Sequence, residues 1–377
     1  MCLPPGPEWL PMVRSLWESG AAVLPVDHRL SRSEVDALLD RARPTVYCDG
    51  EVAQVVPWGA PVDPAIALCL ATSGTGGEPK VVELSRDAVG SAVTASLEML
   101  GGHPDDPWLC CLPVAHVGGM LVLLRGVVLG APVEILRKFD PGALHASPHV
   151  FTAVVPTMLH RLLDAGVDLS HFRAILVGGA DLADAAAERA RRAGARVVTT
   201  YGLTETCGGV AYDGRLFPGS AVRFGPDDEI QVSSPSSMEG YRFDGTATHQ
   251  AFTLDGWVRT GDAGGLDGDG LLRVHGRLDE LILSGAEKIW PQEVEAALRD
   301  HPRVLDVAVG PRPDPEWGDR VVAYVVPDPD LPAPTLEELR DFASDSIARF
   351  KAPRDLVLVE ELPRTDSGKI RRRELSS

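Results

Sequence analysis

Apolar and amphipathic segments alternate through the first two thirds of the chain. Several of the apolar segments show no in/out alternation, which is typical of strands in a sheet covered on both faces. These segments predict strands at 21–26, 45–50, 66–71, 108–114, 150–156, 173–179 and 196–202. Between them, the pattern predicts helices at 31–43, 85–100 and 181–193, with Ser31 or Ser33 capping the first. This alternation indicates an α/β fold with layered sheets.

The pattern changes after Gly214. Short alternating strands and glycine-rich turns predict a smaller antiparallel region, with the segments EIQVSS, GWVRTG and LLRVHG. From about Asp279, the order helix, strand, strand, helix, strand, followed by a basic tail, predicts a separate α+β domain of roughly a hundred residues. Its helices are predicted over PQEVEAALRDH and LEELRDFASDSIARF. We therefore expect a large domain over 1–278 and a small, mobile domain over 279–377.

Composition narrows the classes of function. The chain carries 36 basic and 54 acidic residues, a formal net charge of −18, which disfavours a general nucleic-acid binder but allows a local loop to bind small anions. The longest apolar stretch, 117–136, contains Arg125 and several glycines, so no membrane span is expected. The amino-terminal segment has no signal-peptide pattern, and the six cysteines show no metal-ligand or redox spacing. We therefore expect a cytoplasmic enzyme with reduced thiols.

The segment TSGTGGEPK (72–80) is the strongest local candidate for chemistry. It follows one predicted strand and precedes another, VVELS, so it is not a Walker A loop, which a helix would follow. Glycines let backbone N–H groups approach a phosphate closely, and Lys80 adds a compact positive charge. An ordinary hairpin turn does not need three hydroxyls and a lysine, so we favour phosphate binding. The residues concerned are Thr72, Ser73, Gly74, Thr75, Gly76, Gly77 and Lys80.

Three further segments combine charged and hydroxyl side chains. YGLTE (201–205) ends a predicted buried strand, and its aromatic ring, hydroxyl and carboxylate could stack a base, bond a phosphate and hold Mg²⁺. Asp262 in TGD and Arg277 in GRLDE could bond the hydroxyls of one ribose, the alternative being an ion pair at the surface. Lys369 in SGKIRRREL lies in a glycine-flanked loop, where on its own it would be a solvated charge.

These four segments, in this order, resemble the adenylate-forming superfamily of acyl- and aryl-CoA synthetases, peptide-synthetase adenylation domains and luciferases. The resemblance covers nearly the whole chain, and it extends to VPTML (155–159), LVGGA (176–180), LSGAEKIWPQEVE (283–295) and LPRTDSGKIRRREL (362–375). It implies an acid–thiol ligase that uses ATP, Mg²⁺ and coenzyme A. The acid would first be joined to AMP and then transferred to a thiol.

The resemblance also implies a role for each matching residue. The loop 72–80 would hold the β- and γ-phosphates, Glu205 would bind Mg²⁺, and Lys369 would reach the α-phosphate and the carboxylate. The adenine pocket would be formed by Gly178, Gly179 and Ala180, and the base would stack on Tyr201 with Gly202. The α-phosphate would be contacted by Thr204, and the ribose by Asp262 with Arg277. The hinge of the small domain would be Asp279, and the loop that faces the nucleotide in the thiol step would contain Ser284, Gly285 and Ala286.

Two features depart from the family pattern. Gly76 stands where threonine or serine is usual, and Val81 stands where a glycine usually follows the lysine. The phosphate loop therefore lacks one hydroxyl, and we expect weaker ATP binding. The first thirty residues also resemble a later segment of the family's first subdomain, so part of its first sheet is expected to be missing.

The acid-binding region is predicted within CLPVAHVGGMLVLLRGVVLGAPVE (111–134). His116 is either a neutral core histidine or a catalytic, acid-binding group. Arg125 lies among apolar residues, where a charge is costly unless it is paired. Its partner would be an internal acid or a second carboxylate of the substrate. Gly208 and Gly209 would leave room for a flat ring.

Together with YGLTETCGGVAYDG (201–214), this region looks like the o-succinylbenzoate–CoA ligases of menaquinone biosynthesis, especially their short actinobacterial forms. The resemblance implies activation of one carboxylate of that acid while the arginine holds the other. Two alternatives stay open: adenylation of another aryl or acyl acid, for CoA or a carrier-protein thiol in secondary metabolism, and a non-catalytic nucleotide-binding homologue. Retention of Glu205, Asp262, Arg277 and Lys369 weighs against the last. A homodimer is compatible with the sequence.

Overall fold

The computed structural model describes residues 1–50, 52–72, 79–180, 182, 184–285, 287–364 and 370–375. The helices are α1 (Trp9–Glu18), α2 (Arg32–Ala42), α3 (Arg86–Leu100), α4 (Val117–Val128), α5 (Pro141–His145), α6 (Pro156–Asp164), α7 (Asp184–Arg192), α8 (Gly245–Ala251), α9 (Pro291–Arg299) and α10 (Leu336–Ala343). Short 3₁₀ turns span Thr204–Thr206, Pro226–Asp228, Leu278–Glu280 and Arg372–Glu374.

The strands range from two to eleven residues in length. They are β1 (Val46–Cys48), β2 (Ala53–Val55), β3 (Ile66–Thr72), β4 (Lys80–Ser85), β5 (Trp108–Cys110), β6 (Val133–Ile135), β7 (Phe151–Val154), β8 (Ala174–Val177), β9 (Val197–Leu203), β10 (Gly208–Tyr212), β11 (Arg215–Leu216), β12 (Ala221–Phe224), β13 (Glu229–Ser233), β14 (Gly240–Tyr241), β15 (Val258–Leu266), β16 (Leu272–Arg277), β17 (Ile282–Ser284), β18 (Glu287–Ile289), β19 (Val304–Asp314), β20 (Gly318–Pro327) and β21 (Asp355–Leu358).

The chain divides into two compact units. Unit 1 comprises Met1–Arg223 and Gln231–Thr260, and unit 2 comprises Phe224–Ile230 and Gly261–Ser377. The chain passes from one unit to the other within β12, β13 and β15. Residues 261–278 therefore group with unit 2, whereas the sequence places them in the large domain. Packing alone does not locate a hinge, so the predicted boundary between residues 278 and 279 stays a prediction.

Unit 1 is built around a seven-stranded sheet with the order β11-β10-β9-β8-β7-β5-β6. Strands β5 to β9 pair in parallel, and β10 and β11 add antiparallel strands at one edge. Trp108 and Leu109 are consecutive in β5, point to opposite faces, and belong to two different hydrophobic cores. Trp108 stacks on Phe151 with 4.8 Å between ring centroids, and Leu109 shares its core with Leu159 of α6. The predicted sheet with two covered faces is confirmed.

A smaller sheet with the order β14-β4-β3 also belongs to unit 1. β3 and β4 are antiparallel, with Thr72 opposite Lys80, so TSGTGGEPK does connect two strands as predicted. The predicted strand at 21–26 is wrong, because this segment makes only isolated bridges, such as Val23 with Leu68. Pro25 has no N–H group to donate to a neighbouring strand, which prevents a continuous ladder.

Side-chain caps account for where the helices begin. Ser31 Oγ accepts the N–H of Glu34 (3.3 Å), and the Glu34 carboxylate accepts the N–H of Ser31 (2.8 Å), which forms a capping box on α2. Ser85 Oγ caps α3 by accepting the N–H of Ala88 (3.2 Å). The helix predicted over 336–350 is too long, since α10 ends at Ala343. The hydroxyl of Ser344 donates to Arg340 O (2.7 Å), a local bond that competes with helix continuation.

Unit 2 contains a mixed sheet with the order β18-β17-β20-β19, and β21 pairs in parallel with β20. Helices α9 and α10 cover it through a core that includes Ile282, Val294, Val321 and Leu339. The strands β15 and β16 are antiparallel within this unit, from Asp262 opposite Arg277 to Leu266 opposite Leu272. The predicted α+β character of the carboxyl-terminal part is confirmed.

The six cysteines are all free thiols. Burial raises the pKa of Cys69, Cys110 and Cys207 to about 12 and that of Cys111 to about 11, so these four behave as small apolar side chains. In the described part of the chain, no helix is long and apolar enough to cross a membrane.

Candidate active site

Two predicted nucleotide-binding segments follow neighbouring parallel strands of unit 1. Gly178 follows β8, and Thr204 with Glu205 follows β9 in a 3₁₀ turn. The hydroxyl of Thr206 accepts the N–H of Leu203 (3.0 Å) and donates to Gly208 O (2.9 Å), which holds the turn in place. Carboxyl ends of parallel strands meet at one edge of a sheet, so the structure brings these two segments together.

Tyr241 connects Glu205 with the phosphate-loop lysine. Its hydroxyl donates to Glu205 Oε1 (2.7 Å), and the Nζ of Lys80 lies 4.9 Å from the centre of its ring. Tyr241 belongs to β14 and pairs with Val82 of β4, which places the ring beside the base of the loop 72–80. The hydroxyl of Tyr241 thus contacts the carboxylate of Glu205, and its ring contacts the ammonium group of Lys80. A charge-assisted hydrogen bond and a cation–π contact are the two stabilising interactions.

The phosphate loop itself is only partly described. Thr72 and Lys80 form its base as register partners of β3 and β4, and both are half-buried. The predicted ligands Ser73, Gly74, Thr75, Gly76 and Gly77 lie outside the described residues.

Three glycines that are predicted to contact the base, two in the adenine pocket and one in the base stack, occupy positions that disfavour a side chain. A Cβ atom at Gly178 would lie 2.2 Å from Thr200 Oγ1, and one at Gly202 would lie 1.7 Å from Gly208 O. Gly179 adopts φ +87°, a conformation that residues with side chains rarely take. Tyr201 is half-buried on β9, and Ala180 is exposed. Contact of these residues with a nucleotide stays a prediction.

His116 lies at the amino terminus of α4, where it is accessible rather than part of the core. Its side chain is 51% exposed, and Nε2 lies 3.8 Å from Asp27 Oδ2. Asp27 accepts hydrogen bonds from the guanidinium of Arg29 through both oxygens (2.9 and 2.6 Å). Burial alone would raise the pKa of Asp27, but the bonds from Arg29 outweigh it and lower that pKa. The carboxylate is therefore charged at neutral pH, and it lies beside the ring of His116.

Arg125 is enclosed by groups of unit 1. Its side chain stacks 3.9 Å from the ring centre of Trp108, and it donates to Ser96 Oγ and Leu121 O, both at 2.7 Å. The Ser96 hydroxyl is in turn 2.6 Å from the hydroxyl of Tyr212. Burial lowers the pKa of Arg125, and Tyr212 partly offsets this effect. Only 2% of the surface of Arg125 is exposed, so in this structure its side chain packs in the core. Contact with a substrate carboxylate would require the surrounding side chains to move apart. That contact stays a prediction.

The two glycines of the predicted ring pocket lie against apolar side chains. A Cβ atom at Gly208 would lie 2.3 Å from Leu121 Cδ1, and one at Gly209 would lie 2.8 Å from Phe217 Cζ. In this structure the glycines make room for Leu121 and Phe217. Contact with a substrate ring stays a prediction.

In unit 2, Arg277 bridges two carboxylates. Its Nη1 lies 3.1 Å from Asp262 Oδ1, and its Nε lies 3.2 Å from Asp279 Oδ1. Burial opposes the charge of the guanidinium, but both carboxylates outweigh it and raise the pKa of Arg277. Asp262 is buried, so the surface-pair alternative does not describe it. The structure thus brings together the predicted ribose ligands and the predicted hinge residue.

The predicted thiol-step loop is the turn of a hairpin in unit 2. Ser284 ends β17 and Gly285 turns with φ +61°, with a Cβ position only 2.7 Å from Trp317 Cε3. Among the residues that the structure describes, none forms a hydrogen bond with the buried hydroxyl of Ser284. Ala286 and Lys369 lie outside the described residues.

The donor chemistry of unit 1 fits a magnesium ion held together with phosphates. Within the described ranges, no group of three or more histidine, cysteine, aspartate or glutamate side chains could hold a metal ion. Mg²⁺ commonly uses one or two carboxylates plus substrate phosphates and water. Glu205, which accepts a hydrogen bond from Tyr241, supplies such a carboxylate.

Sequence reasoning missed Tyr241 and Asp27. Tyr241 gives no local signal beyond an aromatic residue in GYRFDG, because its role depends on the register of β14 against β4. Asp27 gives a weak signal, since three charged or titratable residues follow the apolar LPV segment. Neither residue could be linked to its partner without the fold.

Comparisons with known proteins identify the family of this chain. The chain matches the AMP-binding enzyme model over residues 49–239 and the AMP-binding enzyme C-terminal domain model over residues 293–369. It is 33% identical to a 2-succinylbenzoate–CoA ligase of Listeria monocytogenes, covering 97% of this chain and 85% of that protein. It is 37% identical to a protein of Mycobacterium tuberculosis named probable 2-succinylbenzoate–CoA ligase, covering 84% of this chain and 85% of that protein.

A solved structure shares the fold. The o-succinylbenzoate CoA synthetase of Bacillus subtilis, in complex with its acyl-adenylate intermediate, superposes with a TM-score of 0.87 at 26% identity, covering 100% of this chain and 87% of the other. The two family models, the relatives and the shared fold together show that the chain belongs to the AMP-binding enzyme family.

Proposed function

We propose that this chain is an ATP-dependent acid–thiol ligase that converts o-succinylbenzoate into o-succinylbenzoyl-CoA by way of an acyl-adenylate. The names of its relatives support the choice of acid. The observation that carries the ligase function is Tyr241, whose hydroxyl bonds Glu205 while its ring lies beneath Lys80. This arrangement unites the proposed magnesium ligand with the proposed phosphate-binding cation.

The reaction explains why these groups are needed. A carboxylate is a poor acyl electrophile, because its leaving group would be oxide. Attack of one carboxylate oxygen on the α-phosphorus forms a new P–O bond, expels pyrophosphate and leaves a mixed anhydride with AMP. The thiol sulfur then attacks the carbonyl carbon, AMP leaves, and the thiol proton passes to solvent. Both steps accumulate negative charge that fixed donors must offset.

We assign the phosphate contacts to Lys80, Thr72 and Thr204 of unit 1, and the metal contact to Glu205. When bound with ATP, Mg²⁺ would neutralise charge that develops on the departing pyrophosphate. Tyr241 orients the Glu205 carboxylate by its hydrogen bond, so the ligand geometry is set before the nucleotide arrives. Lys80 is held over the same ring by a cation–π contact.

We assign the ribose to Asp262, with Arg277 holding this carboxylate in place by a hydrogen bond. Lys369 would bring a positive charge to the α-phosphate only for the first step. Its reference pKa is about 10.4, so an exposed lysine stays charged at neutral pH. Rotation of the small domain 279–377 about Asp279 would then exchange Lys369 for the hairpin at Ser284 and Gly285, which faces the nucleotide while the thiol attacks.

A second candidate is adenylation of another aryl or acyl acid, delivered to CoA or to a carrier-protein thiol. The observation in its favour is the enclosed Arg125, which bonds Ser96 and Leu121 and leaves the second carboxylate of o-succinylbenzoate without its expected partner. His116, half exposed beside Asp27, offers a ring nitrogen that a different acid could use as a hydrogen-bond partner.

Acid-dependent pyrophosphate exchange over a panel of acids tests the proposal. With ATP and Mg²⁺, o-succinylbenzoate is expected to support exchange, and added CoA is expected to give AMP and a thioester. Exchange with another aryl acid, but none with o-succinylbenzoate, would reject the proposed acid in favour of the second candidate. No exchange with any acid would reject the ligase itself.

Replacing Tyr241 with phenylalanine isolates its hydroxyl. The Tyr241→Phe variant keeps the ring beneath Lys80 but loses a hydrogen bond to a carboxylate, which is worth about 1.5–3 kcal/mol. We expect the KM for MgATP to rise about tenfold or more, measured by pyrophosphate exchange at varied MgATP. Tyr47→Phe, on β1, is the matched control and should leave this KM unchanged. An unaltered KM in Tyr241→Phe would refute the assignment.

Because Arg125 is enclosed, replacing it should affect the KM values of different acids to the same extent. The Arg125→Met variant should alter the KM for a dicarboxylate and for its monoacid analogue by the same factor. Its free energy of unfolding should fall by about 2 kcal/mol, since a desolvated cation–π contact with Trp108 is lost. Arg173→Met, which removes a more exposed contact with Phe151, is the control. A selective rise in KM for the dicarboxylate would establish the substrate contact instead.

Lys369 should matter for only one half-reaction. We expect Lys369→Ala to slow acyl-adenylate formation about 100-fold or more, because one charged donor is lost from a phosphoryl-transfer site. Thiolysis of a chemically supplied acyl-adenylate should proceed at the wild-type rate. Both rates are measured by AMP and thioester release. An equal loss in the two half-reactions would contradict the proposed domain rotation.

A further inference from the structure

An arginine of unit 2 that the proposed mechanism does not use is buried between two carboxylates. The side chain of Arg372 is 11% exposed. Its Nε donates to Glu280 Oε2 (2.9 Å), its Nη2 donates to Glu295 Oε2 (3.1 Å), and its Nη1 donates to Val309 O (2.8 Å) and pairs with Glu295. The three nitrogens therefore connect the turn Arg372–Glu374 to the turn Leu278–Glu280, to α9 and to β19. Burial opposes the charge of Arg372, but the carboxylates outweigh it and raise its pKa.

The two ends of the segment 365–369 are joined to each other. Arg364 and Ile370 form an antiparallel bridge, and Arg371 N–H donates to Pro363 O (2.9 Å). The guanidinium of Arg364 also bonds both carboxylate oxygens of Asp306, at 2.9 and 2.7 Å. The base of the segment that contains the proposed catalytic lysine is thus anchored on one side by Asp306 and on the other by the Arg372 cluster.

The cluster also reaches the proposed hinge. Glu280 follows Asp279 in the turn Leu278–Glu280, and its Oε2 accepts a second hydrogen bond from Gln292 Nε2 (2.7 Å). Asp279 instead accepts from Arg277, which precedes the turn. Two consecutive carboxylates are therefore held by two different arginines. Asp279 is joined to the chain before the hinge, and Glu280 is joined to the chain after it.

We propose that Arg372 is a positioning residue for acid activation. It joins the described residues that follow the segment 365–369 to Glu280, so that Lys369 would follow the part of unit 2 beyond the proposed hinge. The proposal rests on the proposed function, because it takes Lys369 and Asp279 in the roles assigned there. Arg372 acts through Lys369 and is not itself placed near the reacting atoms.

The chemistry requires such a support. Lysine acts as a point charge on a flexible stem, so its contribution depends on where its backbone is held. A misplacement of about 1 Å at a reacting group can cost roughly 100-fold in rate. The planar guanidinium of Arg372 can bond two carboxylates and a carbonyl at once, which an ammonium group in its place could not do with the same geometry.

Two variants test the proposal without leaving a buried charge unpaired. Glu280→Gln weakens the link to the hinge turn while Arg372 keeps Glu295 and Val309. The double variant Arg372→Met with Glu295→Leu replaces the buried pair by apolar side chains, which proteins often tolerate without loss of stability. Arg371→Met is the matched control, since this neighbouring arginine is about half exposed and pairs with Glu374. Circular dichroism and Tm report folding in each case.

We expect both variants to lower kcat for pyrophosphate exchange about tenfold or more, which corresponds to about 1.4 kcal/mol. The KM for ATP and the rate of thiolysis of a supplied acyl-adenylate should stay near wild type, and Arg371→Met should match wild type in all three. Folded variants with unchanged exchange, or with equal loss in both half-reactions, would overturn the proposal; Glu280→Gln decides if the double variant does not fold. A wild-type protein that activates no acid would instead refute the proposed function.

Discussion

Parallel pairing of β5 to β9 is the constraint on which the rest of unit 1 depends. Strands that run in the same direction bring their carboxyl ends to one edge, so the segments after β8 and β9 become neighbours although about 25 residues separate them. Trp108 and Leu109 show how this sheet is stabilised, because each fills a core on a different face. The edge can therefore be built from glycines and polar turns, since the strands behind it supply the stability.

Tyr241 connects a second sheet of unit 1 to that edge. It belongs to the sheet of β3, β4 and β14, whereas its hydroxyl bonds Glu205, which follows β9 of the larger sheet. The partly buried carboxylate gains a donor, and the ammonium of Lys80 gains an aromatic face. A single side chain thus relates two motifs that are more than a hundred residues apart in the chain. Pre-orientation of this kind lowers the entropy that a bound nucleotide would otherwise have to offset.

Local patterns predicted the elements whose causes are local. The strand 66–71 and the helix that Ser31 caps are confirmed, because apolar runs and capping boxes act within a few residues. The strand at 21–26 is wrong because one proline blocks the ladder. The partners of Arg125 could not be predicted. A charged residue in an apolar helix needs a compensating partner, but the sequence does not indicate that the ring of Trp108 and the hydroxyl of Ser96 are those partners. The links of Tyr241 and Asp27 likewise depend on strand register and on contacts between distant segments.

The turn Leu278–Glu280, which contains the proposed hinge residue, has one weakly held carboxylate and one strongly held carboxylate. The bond between Asp279 and Arg277 joins two partly exposed groups, and such ion pairs stabilise a protein by at most about 1 kcal/mol. Glu280 bonds Arg372, which is largely enclosed and also pairs with the buried Glu295, so this attachment is less exposed to solvent than that of Asp279. A rotation should therefore break the contact of Asp279 and preserve that of Glu280. The weakly and the strongly held carboxylate are consecutive residues, so the proposed rotation about Asp279 would leave the interior contacts of Glu280 in place.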